Sequence, residues 1–390
     1  MSAVSRSETF ADLTQFEIRA LEATFNFADA HTHQRPSEGE QQIVDSLPQL
    51  WEQARTRTQG EVDRQFLDTF FSFHGQVSRV GCETRSLLSY AASISMSVVA
   101  TYLRLQGMSA TLIEPCFDNL HDLLVQNQIE INAIDESVVS RAPNVYAALC
   151  ESNMGDALIL VDPNNPTGES MFAYDSNRFA ALVKFCVDRG VLLVLDFSFA
   201  AALMTGGGNR RPDVYDYLDR TGVSYFTIED TGKSWATQDL KCGILTMSED
   251  LWHATRDLHT GVILNVSPVS LLVSAAFVAH SSALPRTPLA SLCNSNRLFL
   301  RTQLEGTRLR VREPQVPVSV AWLSIECGAA AEDTQRELAT LGVHVLPGTH
   351  FYWSDHERGE HFLRIALARD SATFAQGASI IADYARNGVA

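Results

Sequence analysis

Three polar segments follow strand-like apolar runs and supply an amide, a carboxylate and an amine, in that order. The apolar runs lie at residues 157–161, 191–195 and 223–228. The polar side chains that follow them are Asn165, Asp196 and Lys233. Such runs predict buried parallel strands, and open α/β sheets place ligands at the carboxyl ends of their strands. We therefore expect the three side chains to meet at one edge of a sheet.

These groups match what pyridoxal phosphate requires of a protein. The cofactor needs a lysine for its Schiff base, an acid beside its ring nitrogen, a donor to its phenolic oxygen and a cradle for its phosphate. Lys233 is the candidate lysine, Asp196 the acid and Asn165 the donor, in the string Asn164-Asn165-Pro166-Thr167-Gly168. Each motif alone has an ordinary alternative as a turn, a cap or a solvated lysine. Their order and spacing favour the cofactor.

A candidate phosphate cradle lies upstream of these segments. Ala91, Ala92 and Ser93 lead into an apolar helical pattern at residues 98–103. Small residues at a helix start expose backbone N–H groups, which together with the helix dipole bind phosphate. A plain serine N-cap is the alternative for this segment taken by itself.

Together these motifs resemble the fold-type I pyridoxal-phosphate enzymes, specifically the class I/II aminotransferase family, from about Leu87 to Leu367. The resemblance implies an α/β fold, in which a large domain holds a mainly parallel seven-stranded sheet and a smaller domain is α+β. We expect the large cofactor-binding domain at 60–283. Residues 284–390, with 1–59 contributing, would form the small domain and the amino-terminal arm. The strand-like runs alternate with helix-like stretches such as 177–188, as a parallel sheet requires.

The resemblance also implies roles for individual residues. Phe117 would stack on the cofactor ring, and Arg364 would bind the substrate's α-carboxylate through its planar guanidinium. Lys233 would carry the cofactor and act as general acid and base. His31 is a candidate substrate-binding residue, because the amino-terminal arm of the family lies over the active site. The expected cofactor-binding residues are Ala91, Ala92, Ser93, Phe117, Asn165, Asp196, Ser198, Thr231, Lys233 and Lys241.

Several positions depart from the family pattern. Phe199 stands where a tyrosine hydroxyl usually bonds the phenolic oxygen, so we expect a raised pKa of the Schiff base. Lys241 stands where the phosphate-binding residue is usually arginine. Asp230 replaces a serine and would repel phosphate if it pointed inward, so Thr231 or Ser234 is the expected hydroxyl donor. These departures indicate a divergent branch in which the reaction is open.

Composition restricts the class of protein. The chain has 390 residues, is 45% hydrophobic and carries a net charge of −16, which argues against nucleic acid or an anionic membrane as a main partner. The polar start, Met1–Glu8, has no signal-like core, and we find no uninterrupted apolar run of spanning length. We predict a cytoplasmic protein. The seven cysteines, scattered at 82, 116, 150, 186, 242, 293 and 327, have no metal or disulfide spacing.

Three functions remain open from the sequence. The first is an aminotransferase acting on an amino acid through a Lys233 Schiff base. The second is a cyclase or β/γ-elimination and replacement enzyme of specialised metabolism, acting on a modified amino acid such as a hydroxylated arginine. An acidic subsite would suit such a substrate, but Asp29, Glu38 and Asp118 are not assignable to one. The third, a ligand sensor fused to a DNA-binding domain, lacks a basic recognition helix.

The family resemblance also implies a homodimer in which two subunits build each site. We expect the partner's contribution near residues 70–74 or 261–265.

Overall fold

The computed structural model describes residues 12–81, 85–173, 177–205, 208–209, 211–326 and 328–387. Met1–Glu8, Cys82 and Cys327 therefore lie outside the described residues. The strands are β1 (Phe25–Asn26), β2 (Ser86–Ser89), β3 (Ala110–Glu114), β4 (Ile131–Asp135), β5 (Ala157–Val161), β6 (Leu192–Asp196), β7 (Met204–Thr205), β8 (Gly208–Asn209), β9 (Tyr225–Asp230), β10 (Gly243–Met247), β11 (Leu309–Val311), β12 (Val320–Ile325), β13 (Val343–His344), β14 (Leu346–Pro347) and β15 (Phe362–Ala366).

Helices connect and cover these strands. The α-helices are α1 (Leu13–Ala20), α2 (Glu38–Asp45), α3 (Leu47–Thr56), α4 (Gln59–Phe73), α5 (Ala92–Gln106), α6 (Asn119–Gln126), α7 (Ser137–Ser140), α8 (Val145–Glu151), α9 (Asn177–Arg189), α10 (Val214–Thr221), α11 (Trp252–Thr260), α12 (Pro268–Ser282), α13 (Pro288–Gln303), α14 (Ala331–Thr340) and α15 (Ser371–Asn387). Short 3₁₀ segments lie at Val77–Arg79, Ala200–Leu203, Glu249–Leu251, Thr349–Phe351 and His356–Gly359.

The large sheet has seven strands in the order β2-β10-β9-β6-β5-β3-β4. The strands from β9 to β4 are parallel, and β10 runs antiparallel to both of its neighbours. Every residue of β3, β5, β6 and β9 is buried, because helices cover both faces of the sheet. The predicted α/β fold with a mainly parallel seven-stranded sheet is confirmed.

Register brings the ends of the central strands together. Val161 of β5 pairs with Asp196 of β6, and Asp196 pairs in turn with Ile228 of β9. Helix α5 begins at the end of β2, after Ala91 in an extended conformation with φ −163°. The carboxyl ends of β5, β6 and β9 and the amino terminus of α5 therefore lie at the same edge of the sheet.

The smaller sheet has the order β11-β12-β15-β14 and is antiparallel. Its core contains Leu323, Leu363 and Phe374, with Phe27 contributed by the amino-terminal arm. Strand β1 of that arm pairs in parallel with β13. The arm is thus built into the smaller unit on one side of the cavity described below.

The segment between the arm and α4 packs elsewhere. Helices α2 and α3 contact α12, and Leu50 of α3 belongs to the core of the large unit. The predicted domain ranges, 60–283 and 284–390 with 1–59, stay a proposal. This packing favours assigning residues 38–56 to the large unit, whereas Phe27 belongs with the small one.

Within the described residues, none of the helices has the length and apolar character needed to cross a bilayer. The described cysteines carry free thiols and lie at Cys116, Cys150, Cys186, Cys242 and Cys293.

Candidate active site

A cavity of about 250 Å³ lies at the carboxyl ends of the central strands, between the large sheet, the small unit and the amino-terminal arm. All predicted site residues except Thr231 line it, namely Ala91, Ala92, Ser93, Phe117, Asn165, Asp196, Ser198, Lys233, Lys241, Arg364 and His31. The fold thus brings together side chains that are widely separated in the sequence. Among the described residues, no group of three or more His, Cys, Asp or Glu could hold a metal ion.

Lys233 and Asp196 enter the cavity from adjacent strands. Lys233 follows β9, is partly exposed, and its amine makes no ion pair or hydrogen bond with any residue that the structure describes. Asp196 ends β6, and its Oδ1 accepts a hydrogen bond of 2.8 Å from the Ser198 N–H. Burial raises the pKa of Asp196 to about 6, although the Ser198 bonds act against it, while the charge of Asp230 adds to the rise and that of Lys233 opposes it.

Asn165 lies in a loop that only glycine can close. Gly168 has φ +71°, and a Cβ there would lie 2.5 Å from both Pro314 Cβ and the Val316 carbonyl. Asn165 itself is buried, and its Oδ1 has no hydrogen-bond partner among the described residues. Asn165 also lines the cavity, which places its side-chain amide at that space.

The amino terminus of α5 is engaged by an anion of the protein itself. The Ala92 N–H donates to Asp230 Oδ2 at 3.2 Å, so the carboxylate points inward at the predicted phosphate cradle. The Thr231 hydroxyl, expected to serve the phosphate, instead accepts a hydrogen bond of 2.8 Å from the Cys242 N–H and does not line the cavity. It turns away because β9 and β10 pair here, with Asp230 opposite Gly243.

Lys241 lies beside this cradle and is held by the arm. Its Nζ lies 3.1 Å from His31 Nε2 and 3.3 Å from Asp239 Oδ1. The adjacent Gly243 leaves room for the helix start, since a Cβ there would lie 2.6 Å from the carbonyl carbon of Ala91. Lys241 is thus placed to supply positive charge near the helix start.

His31 is oriented by a buried carboxylate. Asp29 Oδ1 lies 2.7 Å from His31 Nδ1, and Asp29 Oδ2 lies 2.6 Å from His33 Nε2. Burial acts to raise the pKa of Asp29, but the hydrogen bonds from both histidines outweigh it and hold the pKa below its ordinary value. With Nδ1 occupied by Asp29, His31 turns Nε2 toward Lys241. The spacing Asp29-x-His31-x-His33 is the signal in the sequence that points to this cluster, and the chain bends at His31, whose N–H also donates to Asp29 Oδ1 at 2.9 Å.

Arg364 also lines this cavity and is fully buried. Its Nη2 donates to Glu17 Oε1 at 3.1 Å, while Nε and Nη1 have no partner among the described residues. The guanidinium carbon lies 5.8 Å from the ring centres of Phe117 and Phe351. Burial lowers the pKa of Arg364, and Glu17 opposes this effect. Two unsatisfied buried donors are a strong site for a carboxylate.

Helix α1 supplies an acidic group, Glu17, that the sequence did not reveal. Thr14 and Glu17 of α1 line the cavity, and the Leu13 N–H donates to Asp118 Oδ2 at 2.7 Å. Asp118 is buried, and its Oδ1 has no partner within the described ranges. Burial raises the pKa of Asp118 to about 7, while the bond from Leu13 lowers it and Asp122 raises it further. We find no sequence signal that points to Glu17.

These residues fit pyridoxal phosphate. A lysine amine with no partner in the described part of the chain, a buried acid, an amide and a helix start face one cavity, in which Phe117 and a basic side chain also lie. Asp230, at the helix start, is the group that opposes an anionic phosphate there.

Comparisons with known proteins agree with this geometry. The family model described as aminotransferase class I and II matches residues 97–381. A structure of MppP soaked with the product 2-ketoarginine is 29% identical, with a TM-score of 0.85 over 93% of this chain and 99% of that one. Comparison of the sequence with curated proteins gives no significant match.

Two more distant structures share the fold. A PLP-bound putative aminotransferase from Clostridium difficile 630 is 16% identical, with a TM-score of 0.77 and 98% of each chain covered. LysN, an α-aminoadipate aminotransferase from Thermus thermophilus, is 15% identical, with a TM-score of 0.73, covering 96% of this chain and 94% of its own. The chain belongs to the class I and II aminotransferase family and is a PLP-dependent transferase.

Proposed function

We propose that this enzyme, with pyridoxal phosphate on Lys233, removes the α-amino group of an amino acid whose side chain carries a guanidinium-type cation. The ion pair between Arg364 and Glu17 is the observation that carries the proposal. Arg364 is the anchor for an α-carboxylate, and Glu17 is its present partner. A substrate carboxylate that takes over Arg364 leaves Glu17 without a cation.

The negative charge of Glu17, once it has lost Arg364 as a partner, favours a substrate with a cationic side chain. The Glu17 side chain is only 16% exposed, so an unpaired carboxylate there is costly. A cationic substrate side chain compensates Glu17. A neutral or acidic side chain leaves the charge uncompensated. The cavity therefore favours a substrate that carries both a carboxylate and a cation.

The chemistry at Cα follows from the residues around Lys233. The bound cofactor supplies an electron sink for the bond that breaks at Cα. Lys233 would hold the cofactor, and its free amine would take the Cα proton as general base. Asp196 would hold the cofactor through its ring nitrogen, and Asn165 would hold it through its phenolic oxygen. Arg364 holds the carboxylate and so orients the Cα–H bond toward Lys233.

The likeness to MppP supports the substrate class. The product named for that protein, 2-ketoarginine, is the 2-oxo acid corresponding to arginine. At 29% identity over almost the whole of both chains, the comparison favours an arginine-like substrate here. Transfer of the amino group to a second 2-oxo acid is the first form of the proposed reaction.

A second candidate is elimination or cyclisation of a modified arginine. Three departures in the cavity favour it, namely Phe199 without a hydroxyl, Asp230 at the helix start and Lys241 in place of arginine. Each alters the charge or hydrogen bonding around the cofactor's oxygen atoms. Such changes alter how electrons leave Cα after its proton is removed, which is where transamination and elimination diverge.

Location and assembly are also proposals. We propose a cytoplasmic homodimer. Free thiols at the described cysteines are typical of a reducing compartment. Leu264, 92% exposed, and Val262, 67% exposed, lie in the segment 261–265 expected to meet a second subunit. Tyr90 next to the helix start donates to the Asn265 carbonyl at 3.3 Å, which connects that segment to the cofactor end of the cavity.

A substrate panel tests the proposal. L-arginine and L-citrulline, which differ mainly in the side-chain charge, are incubated with the cofactor-loaded enzyme beside L-lysine, L-alanine and L-glutamate. We expect arginine to change the cofactor's visible spectrum and to yield its 2-oxo acid, with citrulline much slower. A 2-oxo acid added afterwards should restore the original visible spectrum if the reaction is transamination. It should not do so if the reaction is elimination. Equal turnover of alanine and arginine would contradict the substrate class.

A further inference from the structure

Glu136 lies behind the cavity rather than in it. It follows β4 directly, and its Oε2 accepts hydrogen bonds from Asn164 Nδ2 at 2.7 Å and from Thr167 Oγ1 at 2.6 Å. These two donors flank Asn165, the proposed donor to the cofactor's phenolic oxygen. One carboxyl oxygen thus fixes the loop on both sides of Asn165.

The same network reaches the loop that carries Phe117. Asn164 Nδ2 also donates to the Pro115 carbonyl at 2.7 Å, and the Glu136 N–H donates to the Glu114 carbonyl at 2.7 Å. Strands β5, β3 and β4 are neighbours in that order. The loops after three adjacent strands are therefore tied together by Asn164 and Glu136, and two of those loops carry proposed cofactor contacts.

The loop closes on itself around this anchor. The Asn164 N–H donates to the Glu169 carbonyl and the Gly168 N–H donates to the Asn164 carbonyl, each at 2.8 Å. Glu169 is in turn paired with Arg141. These backbone hydrogen bonds fix the shape of the loop. The side-chain bonds of Asn164 and Thr167 to Glu136 then fix its position relative to β4.

We propose that Glu136 is a positioning residue that holds Asn165 and Phe117 in place against the cofactor. It does not contact the cofactor, and it acts through Asn164, Thr167 and the Pro115 carbonyl. The inference rests on the proposed role of Asn165. Hydrogen-bonded supporting residues of this kind limit how far a contacting side chain can drift.

The surroundings of Glu136 define a conservative replacement. Burial of its carboxyl end raises the pKa of Glu136 to about 8, the bonds from Thr167 and Asn164 act against this, and Glu169 and Asp135 add to it. The charged and titratable groups around it are Asp135, Arg141, Glu169, Tyr352 and Arg358. A largely neutral carboxyl at pH 7 is closely matched by glutamine, whose single oxygen can accept both bonds.

Three variants separate positioning from stability. Glu136→Ala removes both bonds, Thr167→Val removes one, and Glu136→Gln keeps both. For each we would measure the dissociation constant of pyridoxal phosphate and the pH midpoint of its visible absorption when bound. We expect about tenfold weaker cofactor binding for Glu136→Ala, because a misplaced Asn165 costs the cofactor about one hydrogen bond. For Thr167→Val we expect a smaller loss. We also expect shifted midpoints for both and recovery in Glu136→Gln.

Two further measurements make the outcome decisive. Thermal unfolding of the cofactor-free variants reports stability alone, so a lowered Tm with wild-type midpoints and affinity in Glu136→Ala and Thr167→Val would overturn the inference. Asn165→Ala tests the role on which the inference rests. If Asn165→Ala leaves the midpoint unchanged, that role fails; if it shifts the midpoint and Glu136→Ala does not, only the inference about Glu136 fails.

Discussion

Glu17 Oε1 lies 3.1 Å from Nη2 of Arg364, across 347 positions of the chain. The arginine is fully buried, and the glutamate side chain is 16% exposed. The acid thus covers one edge of the guanidinium and leaves Nε and Nη1 without partners among the residues that the structure describes. A buried pair with spare donors on the cationic side is open to exchange by a second carboxylate.

Glu17→Gln tests that exchange. It removes the charge that we expect to bind the substrate's cation, while keeping a group that can accept from Arg364. The KM for arginine should rise about tenfold or more, because hydrogen bonds to charged groups contribute about 1.5–3 kcal/mol. The preference for arginine over citrulline should shrink by a similar factor. Steady-state kinetics with both substrates measure this.

The matched control for that variant is Glu22→Gln, an exposed acid just beyond the end of the same helix. It makes the same change in net charge and should leave both KM values unchanged. An unaltered arginine preference in Glu17→Gln would contradict the assignment of Glu17 to the substrate's cation.

The contrast between Glu17 and Lys233 indicates what sequence can predict. Asp196 ends a strand, and Asn165 and Lys233 lie within four residues of a strand end, so short motifs place them once the sheet is recognised. Glu17 has no such motif, because its position depends on α1 docking through the Leu13 N–H to Asp118, 105 residues away. Strands β5, β6 and β9 were predictable from their apolar runs for the same local reason, whereas the seven-stranded architecture was an expectation from the family resemblance.

Thr231 shows a different limit. The sequence puts a hydroxyl next to the lysine turn, but the direction of that hydroxyl depends on the pairing of β9 with β10. In that register the Thr231 hydroxyl accepts a hydrogen bond from the Cys242 N–H. Asp230, and not Thr231, accepts the hydrogen bond from the N–H at the helix start. Side-chain direction in a loop between paired strands depends on register, which the local motif does not contain.

Asp196 should make the cofactor-free protein sensitive to pH. Its folded pKa is raised from 3.8 to about 6, so the neutral acid is favoured in the folded state. The associated stability is fully present below pH 3.8 and is lost as pH rises through about 6. The shift of about two units corresponds to roughly 3 kcal/mol, since one unit is about 1.4 kcal/mol.

In the cofactor-free protein, Asp196→Asn should therefore be more stabilising at pH 8 than at pH 4.5. The difference in its effect on the free energy of unfolding should be up to that amount. Urea unfolding at both pH values measures the difference. With the cofactor bound, the same variant should lose activity, because the ring nitrogen loses its ionic partner. A variant effect on unfolding that does not change with pH would show that Asp196 does not titrate in this range.

Asp230→Ser should tighten cofactor binding. The carboxylate of Asp230 accepts from the Ala92 N–H, at the point where the phosphate is expected. Replacing it removes an anion and frees a helix N–H, and each change favours phosphate. We expect at least a severalfold lower dissociation constant, with the gain larger at low ionic strength.

Asp250→Ser is the matched control for charge, because Asp250 is exposed and lies outside the cavity. Equilibrium dialysis of both variants against pyridoxal phosphate at two salt concentrations gives the comparison. Equal gains in the two variants would attribute the effect to net charge, and weaker binding by Asp230→Ser would contradict the expected phosphate position.

Phe199→Tyr should restore a donor near the cofactor's phenolic oxygen. Phe199 is buried, lines the cavity and packs with Ala30, Val318 and Val320. A hydroxyl added there stabilises the phenolate, which reduces the need for a proton on the nitrogen that joins the cofactor to Lys233. The pH midpoint of the bound cofactor's visible absorption should therefore fall below that of the wild type.

A spectrophotometric titration of both proteins measures that midpoint directly. Phe199→Leu serves as the control, because it changes the packing without adding a donor and should leave the midpoint near the wild-type value. If Phe199→Tyr and Phe199→Leu shift the midpoint equally, packing rather than the missing hydroxyl governs it. In that case the departure at Phe199 would not explain a reaction different from transamination, and Asp230 and Lys241 would remain as the positions that could.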